Sequence, residues 1–369
     1  MPVLAVFSLV SGRLSVPLSV LDLCPVPTGE SAGEALRRSV DLARHAERWG
    51  LRRYWVAEHH SMPGIASSAP AVMAGLIASV TSQIRVGSGG VMLPNHAPLT
   101  VAEQFGTLEA MHPGRIDLGI GRAPGTDKAT ARALRRGADG LPPADFAAQL
   151  AELRGYFAGR AGADGSAGQI RAIPAEGNEP AVWLLGSTGY SAELAGVLGL
   201  PFAFAYHFSP VNARPALALY RRTFTPSARL AEPYCLISVS VVCAEDAAAA
   251  RFLHGSSRLS MLRLRAGRPS TLPSPEEAAG RDHSAAERTV IAEATASDVV
   301  GDPGTVTGSL NRLIADTGAD EVMVTTSTFG HADRLASYEL LARAAQTAEA
   351  DRPGEQQAPL EALPAVVPE

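Results

Sequence analysis

The sequence has little of several features that would direct it to a particular compartment or partner. Its three cysteines, Cys24, Cys235 and Cys243, lie far apart and form no C-x-x-C pair, so neither a disulfide framework nor a zinc site is indicated. Blocks of lysine or arginine are missing and the formal net charge is −5, which disfavours binding to nucleic acid. We therefore expect a reducing, cytoplasmic environment and a small-molecule partner.

Long hydrophobic runs are also missing. No uninterrupted apolar run reaches the ~18 residues of a membrane-spanning helix, so no membrane partner is expected. The apolar start, residues 1–10, has no basic region before it and is followed by the polar residues Ser11, Gly12 and Arg13. It therefore predicts a first β-strand rather than a signal peptide. No G-x-G-x-x-G follows this strand, which disfavours a dinucleotide-binding fold.

Short β-rich runs alternate with longer helical patterns along most of the chain. The predicted strands are residues 3–9, 54–57, 84–92, 115–120, 182–185, 202–206, 234–243 and 321–325. The predicted helices are residues 31–49, 69–80, 99–111, 146–157, 191–198, 212–223, 245–263, 303–317 and 332–348. This alternation argues for parallel strands with helical crossovers. About eight strands predict an α/β fold, a TIM (β/α)8 barrel with insertions, with a doubly wound sheet as the alternative.

Two stretches interrupt the alternation within one predicted domain, residues 1–350. Residues 266–289 are rich in Pro, Ser, Arg and Glu and weak in apolar periodicity, so they predict a mobile insertion after the seventh strand. Residues 351–369 contain four prolines and predict a disordered or surface-bound tail.

Candidate reactive groups are those at the carboxyl ends of the strands, where TIM barrels place their active sites. The second predicted strand runs into Glu58, His59 and His60, which join an acid to two imidazoles suited to proton transfer near neutral pH. The alternative is that the histidines are hydrogen-bonded core residues. Adjacent histidines cannot easily chelate one ion, so a metal site is disfavoured.

A second candidate is the turn 186–191, which leads from a strand into a helix. Its hydroxyls and backbone N–H groups converge at a helix N-terminus, an arrangement that favours a phosphate, and Arg122 at the neighbouring strand end adds a positive charge. The alternative is an N-capping turn without a ligand. The residues concerned are Ser187, Thr188, Tyr190 and Ser191. In the third strand, Gly89 and Gly90 predict either a bulge or the close approach of a flat ligand.

Taken together, these segments resemble the bacterial luciferase-like flavin monooxygenase family, most closely over residues 53–125. Within the family, the chain is similar to single-chain antibiotic-tailoring members of actinobacteria, of the mensacarcin type. The resemblance is carried by the runs YWVAEHH at 54–60, RVGSGGVMLPNHAP at 85–98, AEQ at 102–104 and HPGRIDLGIGR at 112–122. Agreement is weaker over residues 187–201 and 320–326.

The resemblance implies roles for individual residues. His59 matches the proposed catalytic base, His60 its active-site neighbour, and Glu58 or His60 would set the tautomer of His59. Gly89 and Gly90 match a non-prolyl cis peptide that supports the isoalloxazine ring, and Asn95 belongs to the same cofactor-binding region. The residues that match the phosphate site are Arg122, Ser187, Thr188 and Ser191, with Tyr190 closing over the ring or phosphate. In one departure, the reactive cysteine of luciferase is replaced by Gly121.

The resemblance also implies an activity. Reduced FMN from a separate flavin reductase would react with O2, the co-substrate, and a C4a-peroxyflavin would oxygenate an apolar substrate, an aldehyde or a polyketide-like molecule of secondary metabolism. The insertion at 266–289 would act as a lid, and the early helices would form a homodimer. Three alternatives stay open: a deazaflavin (F420)-dependent dehydrogenase of the same superfamily, a non-catalytic flavin-binding protein and a metal-dependent hydrolase.

Overall fold

The computed structural model describes residues 13–123, 128–134, 146–160 and 170–346 of the chain. The strands are β1 Leu18–Asp22, β2 Arg53–Val56, β3 Arg85–Met92, β4 Ile116–Gly121, β5 Ala181–Gly186, β6 Phe202–Phe204, β7 Cys235–Cys243, β8 Val299–Gly301 and β9 Glu321–Thr325. The helices are α1 Ala32–Arg48, α2 Pro70–Ser79, α3 Pro98–Met111, α4 Lys128–Leu134, α5 Phe146–Phe157, α6 Gly189–Val197, α7 Ala213–Thr223, α8 Ala247–Arg265, α9 Pro275–Ala279, α10 Ala285–Ala294, α11 Pro303–Thr317 and α12 His331–Gln346.

Eight of the strands close into a parallel barrel. Neighbours follow the order β6, β5, β4, β3, β2, β1, β9, β7, and a further pairing of β6 with β7 completes the ring. The short β8 pairs with the last residues of β7, outside the ring. The predicted TIM barrel is therefore confirmed.

The first strand of the barrel differs from the prediction. The predicted strand 3–9 and the predicted tail 351–369 lie outside the described residues, and the position between β2 and β9 is filled by Leu18–Asp22. This segment, LSVLD, is five residues long and buried throughout. It was not predicted because a short buried strand lacks the alternation by which a sequence shows a half-exposed one.

Strand residues alternate between the barrel interior and the helix layer. Trp55 points inward, whereas its neighbours Tyr54 and Val56 pack in the large outer core beneath the helices. The inner apolar cluster consists of Leu21, Trp55, Ala57, Trp183, Ala203, Leu236 and Met323. This packing follows from the two-residue period of a strand.

An ionic cluster fills the end of the barrel at which the strands begin. The guanidinium of Arg53 donates to Glu321 and to Asp117, each at 2.9 Å, and all three side chains are buried. The indole of Trp55 donates to the same Asp117 carboxylate at 2.9 Å. This cluster fills the interior at the amino-terminal end, and the cavity described below lies at the opposite, carboxyl-terminal end.

The insertion 266–289 contains ordered helical segments that the sequence did not predict. It includes α9 and the start of α10, and a Ser284–Glu287 capping box begins α10. The backbone of Leu272 exchanges hydrogen bonds of 2.8 Å with Val26 and Thr28, which follow β1. The insertion therefore lies over the carboxyl-terminal end of the barrel, while its predicted mobility stays a prediction. Among the described helices, none combines the length and hydropathy needed to cross a membrane.

Candidate active site

A cavity of about 320 Å³ opens at the carboxyl-terminal end of the barrel. Its walls come from most of the barrel strands and the loops that follow them, and much of the lining is apolar. The apolar residues include Leu21, Leu23, Trp55, Leu185, Leu236 and Met323. A concave, mostly apolar pocket with a few polar groups is the usual form of a small-molecule site, typically of roughly 300–1,000 Å³.

Glu58 lies beneath the cavity wall, fully buried, and organises the segment after β2. Its Oε1 accepts hydrogen bonds from the Nε2 atoms of His60 and His96, both at 2.9 Å. Its Oε2 accepts from the backbone N–H of Met92 at 3.0 Å. Burial by itself would raise the pKa of Glu58, but the hydrogen bonds from His96 and His60 outweigh burial and lower it. Glu58 is therefore a carboxylate that anchors two histidines.

His59 points the other way and lines the cavity. Its backbone N–H donates to Ser67, but its buried Nδ1 has no hydrogen-bonding partner among the described residues. Burial lowers the pKa of His59, and His207 nearby lowers it further, so the imidazole is neutral near pH 7. A buried nitrogen without a partner is costly, which indicates that this face is shaped for a ligand.

His207 is a functional candidate that the sequence reasoning missed. It follows β6, lines the same cavity as His59, and its Nδ1 lies 3.0 Å from the carbonyl oxygen of Ser238 on β7. The sequence does contain a signal for it: His207 comes directly after the predicted strand 202–206, and TIM barrels place their active-site residues at the carboxyl ends of strands, the same rule that selected His59. It was overlooked because it stands outside any recognisable run.

The predicted phosphate turn and Arg122 meet on one wall. Ser187, Thr188, Ser191 and Arg122 all line the cavity. Thr188 is the N-cap of α6, yet its side chain makes no capping hydrogen bond to the backbone N–H groups of the first turn. The guanidinium of Arg122 stacks on Tyr190, with Cζ 4.4 Å from the ring centroid. Backbone N–H groups at a helix N-terminus, hydroxyls and one cation together make an arrangement that favours an anion.

The paired glycines of β3 are explained by crowding from the protein itself. The Gly89–Gly90 peptide is cis, as the resemblance implies, and the pairing of β3 with β4 shifts register between Gly89 and Val91, which agrees with a bulge, one of the two predicted alternatives. A Cβ on Gly90 would lie 2.7 Å from the carbonyl oxygen of Gly119, and one on Gly89 would lie 2.6 Å from Cδ1 of Leu21. A side chain at Gly90 would therefore clash with backbone, whereas one at Gly89 would require Leu21 to move.

The structure divides the predicted site residues into two groups. Those that line the cavity are His59, Gly89, Arg122, Ser187, Thr188 and Ser191. Those outside its lining are Glu58, His60, Gly90, Asn95 and Tyr190. Asn95 is buried, with Nδ2 at 3.5 Å from Glu58 Oε1, so it belongs to the cluster around that carboxylate.

Comparison with known proteins adds independent information. A family model described as luciferase-like monooxygenase matches residues 16–321. A luciferase-like monooxygenase of Escherichia coli (strain K12) is 46% identical over 88% of this chain and 96% of that protein. The N-acetyl-S-alkylcysteine monooxygenase of Bacillus subtilis (strain 168) is 33% identical over 89% of this chain and 98% of that protein. The crystal structure of apo-MsnO8 has a TM-score of 0.77 at 37% identity, covering 89% of this chain and 97% of that one.

Proposed function

The chain belongs to the luciferase-like monooxygenase family, and we propose that it uses reduced FMN and O2 to oxygenate an apolar substrate, an aldehyde or a polyketide-like molecule. The observation that carries the proposal is one cavity with a wall suited to an anion at one side and, on another, the neutral His59, whose Nδ1 has no hydrogen-bonding partner among the described residues. A separate flavin reductase would supply the reduced cofactor in the cytoplasm.

The residues present fit FMN at its phosphate end. The first turn of α6 offers uncapped N–H groups, Ser187 and Thr188 offer hydroxyls, and Arg122 offers a guanidinium. A phosphate bound there would receive charge-assisted hydrogen bonds and the favourable end of the helix dipole. Tyr190, stacked on Arg122, would restrain that guanidinium in place.

The fit extends to the ring end. Gly89 presents bare backbone to the cavity, and Leu21 and Trp55 supply apolar surface beside it, which suits a flat heterocycle. When bound, reduced FMN would supply the electrons that activate O2. The role of the protein is to orient the ring, exclude water and transfer protons. His59 is the group placed to move a proton, because Nδ1 of its neutral imidazole has no partner among the described residues.

FMN titration tests the phosphate site. We expect Arg122→Met to weaken FMN binding roughly tenfold or more, because a hydrogen bond from a charged group contributes about 1.5–3 kcal/mol. The matched control is Arg214→Met, an exposed arginine on α7 away from the cavity. Equal FMN affinity in the Arg122 variant and the wild type would contradict this placement.

Isotope labelling separates oxygenation from hydride transfer. With photoreduced FMN, an apolar aldehyde or aromatic substrate and labelled O2, we expect one labelled oxygen atom in the product. His59→Asn should leave FMN affinity within a few-fold and abolish incorporation, since proton transfer typically contributes roughly 10²–10⁴-fold. Tight binding of F420 together with an unlabelled product would instead establish the dehydrogenase alternative. Binding of FMN without any turnover would establish the non-catalytic alternative.

We also propose that the chain forms a homodimer through its early helices. Val72 and Leu76 lie one turn apart on α2 and are 63% and 52% exposed, and Met111 at the end of α3 is 70% exposed. Neighbouring apolar side chains of this size typically mark an interface. Light scattering after size exclusion tests it: Leu76→Glu should convert dimer to monomer, and Val211→Glu, at a more exposed position after β6, should not.

A further inference from the structure

The orientation of His207 is fixed by strand β7. Its Nδ1 lies 3.0 Å from both the carbonyl oxygen and the Oγ of Ser238, and its backbone N–H donates to the same carbonyl at 3.1 Å. A carbonyl oxygen can only accept, so Nδ1 carries the proton. The other ring nitrogen, Nε2, then holds a lone pair.

That lone pair is available to a ligand. None of the described residues forms a hydrogen bond with Nε2 of His207, and the residue lines the cavity. Burial lowers the pKa of His207, which keeps the ring neutral near pH 7 and its Nε2 an acceptor. His59 differs, because nothing in the described chain fixes which of its nitrogens carries the proton.

Few charged groups and mainly apolar side chains surround His207 in the cavity. The titratable groups that face it are His59 and Asp298, and Asp298 is already bound to His254 at 2.8 Å. Leu185 on β5 and Leu236 on β7 line the cavity from the two strands that pair with β6, and both are apolar; Ser238 on β7 is the polar exception and is the residue that already binds Nδ1. An acceptor of fixed orientation in an apolar wall is the arrangement by which a site recognises a complementary donor.

We propose that His207 is a specificity-determining residue whose Nε2 accepts a hydrogen bond from a hydroxyl or N–H group of the substrate. The preferred substrates are then apolar molecules that carry one such donor, for example a phenolic hydroxyl. This inference rests on the proposed function, because it takes the flavin to occupy the remainder of the cavity. A ligand without the donor leaves the acceptor desolvated and unpaired, and is disfavoured for that reason.

The test compares two probes of similar shape, 2-naphthol and 2-methoxynaphthalene, of which only the first donates a hydrogen bond. Calorimetric titration into protein saturated with oxidised FMN, at about pH 7.5 where His207 is neutral, should show tighter binding of naphthol by about tenfold or more. Lowering the pH through the pKa of His207 should remove the preference, since a protonated imidazole only donates.

The decisive variant is His207→Asn. Its amide nitrogen takes the place of Nδ1 and keeps the hydrogen bond to Ser238, while nothing replaces Nε2. We expect the melting temperature and FMN affinity to stay near wild type and the probe preference to fall to within a few-fold, without pH dependence. His207→Gln, which places an amide oxygen near the position of Nε2, should recover part of the preference and serves also if the Asn variant does not fold.

Equal affinity of the wild type for both probes, or a preference that persists in His207→Asn, would overturn the inference. So would a selective loss of FMN affinity in that variant, because the donor would then belong to the cofactor. A wild type that binds FMN and prefers naphthol but never incorporates oxygen would instead refute the proposed function and leave the role of His207 standing.

Discussion

At the scale of single residues, the site depends on two kinds of histidine environment. His60 and His96 are bound to the Glu58 carboxylate, whereas His59 and His207 face the cavity with lowered pKa values that follow first from burial. In the run Glu58-His59-His60, Glu58 and His60 therefore point to one side and are hydrogen-bonded to each other, whereas His59 points to the other side, into the cavity. This is the consequence of extended backbone, in which successive side chains point to opposite sides.

Replacing Glu58 by Gln tests the anchoring role. A buried amide cannot accept from three donors as a carboxylate does, so we expect a loss of about 1–3 kcal/mol in the free energy of unfolding at pH 7. The folded pKa of Glu58 is lowered, so its stabilisation is present above the unfolded value of about 4.3 and is lost as the pH falls through the folded value.

Urea denaturation of both proteins across that range checks the expectation. The difference between wild type and Glu58→Gln should shrink as the solution becomes more acidic. The exposed Glu193→Gln on α6 is the matched control and should change little at any pH. A difference for the Glu58 variant that does not depend on pH would show that the charge is not what stabilises the segment.

Gly90 provides a second test at this scale. A methyl group there would meet the Gly119 carbonyl oxygen at 2.7 Å and Leu185 Cδ2 at 2.9 Å, so Gly90→Ala should cost roughly 1–3 kcal/mol through overpacking. Gly33→Ala is the control, because its Cβ would have no neighbour closer than 3.6 Å in helix α1. We expect a clearly lower melting temperature for the first variant and an unchanged or higher one for the second.

At the scale of elements, the predicted helices and most of the strands agree with the structure to within two residues at each end. The exceptions, β1, β8, α4, α9 and α10, are short. A segment of three to ten residues makes few local contacts and depends on its neighbours for stability, which a sequence pattern does not show. For α10 the Ser284–Glu287 capping box was a readable signal, hidden by the polar composition around it.

The insertion is the element whose behaviour we expect to depend on the cofactor. It continues into the rest of α10, where Ile291 packs with Leu259 and Leu262 of α8 in a small apolar cluster that Ala278 of the insertion adjoins. Most side chains of the insertion are partly or fully exposed. Segments with few buried contacts open locally at low free energy. Amide hydrogen exchange should therefore be faster in 266–294 than in α11, and FMN should slow it if the insertion closes over the cavity; exchange unchanged by FMN would reject the lid.

At the scale of the whole molecule, closure of the barrel depends on the ionic cluster at its amino-terminal end. Arg53 joins Asp117 on β4 to Glu321 on β9, so one side chain of β2 ties together strands from distant parts of the sequence. The pKa of Asp117 is lowered, since Arg53 and Arg85 outweigh the effect of its burial. Such a cluster is strongly coupled to folding because a lone buried charge is costly.

Replacing Arg53 should therefore strongly lower the free energy of unfolding. Arg53→Met leaves two buried carboxylates without their shared partner, and we expect a loss of about 3–5 kcal/mol in the free energy of unfolding. Arg52→Met is the matched control, since Arg52 is 43% exposed and lies 3.5 Å from the same Glu321, a geometry worth about 0–1 kcal/mol. Comparable losses for the two variants would contradict the importance given to burial.

The sequence alone was sufficient for the barrel, and it selected several residues that the structure places around one cavity. Periodicity showed parallel strands with helical crossovers, and the rule that loops after the strands carry function selected His59, Arg122 and the turn before α6. The prediction of the barrel succeeds because strand period, helix period and turn chemistry are local and can be recognised in consecutive residues, whereas the roles of the selected side chains stay predictions.

Only the tertiary structure decided which strand begins the barrel, which histidines are bound to Glu58 and which face the cavity. It also brought His207 from β6 opposite His59 from β2, and fixed its tautomer through Ser238 on β7. Apart from the local bond between His60 and Glu58, these facts depend on hydrogen bonds between residues 31 and 38 positions apart, His207 with Ser238 and His96 with Glu58, or on burial that closure of the barrel creates. Neither these hydrogen bonds nor this burial exists until the chain has folded, so they cannot be predicted from patterns in consecutive residues.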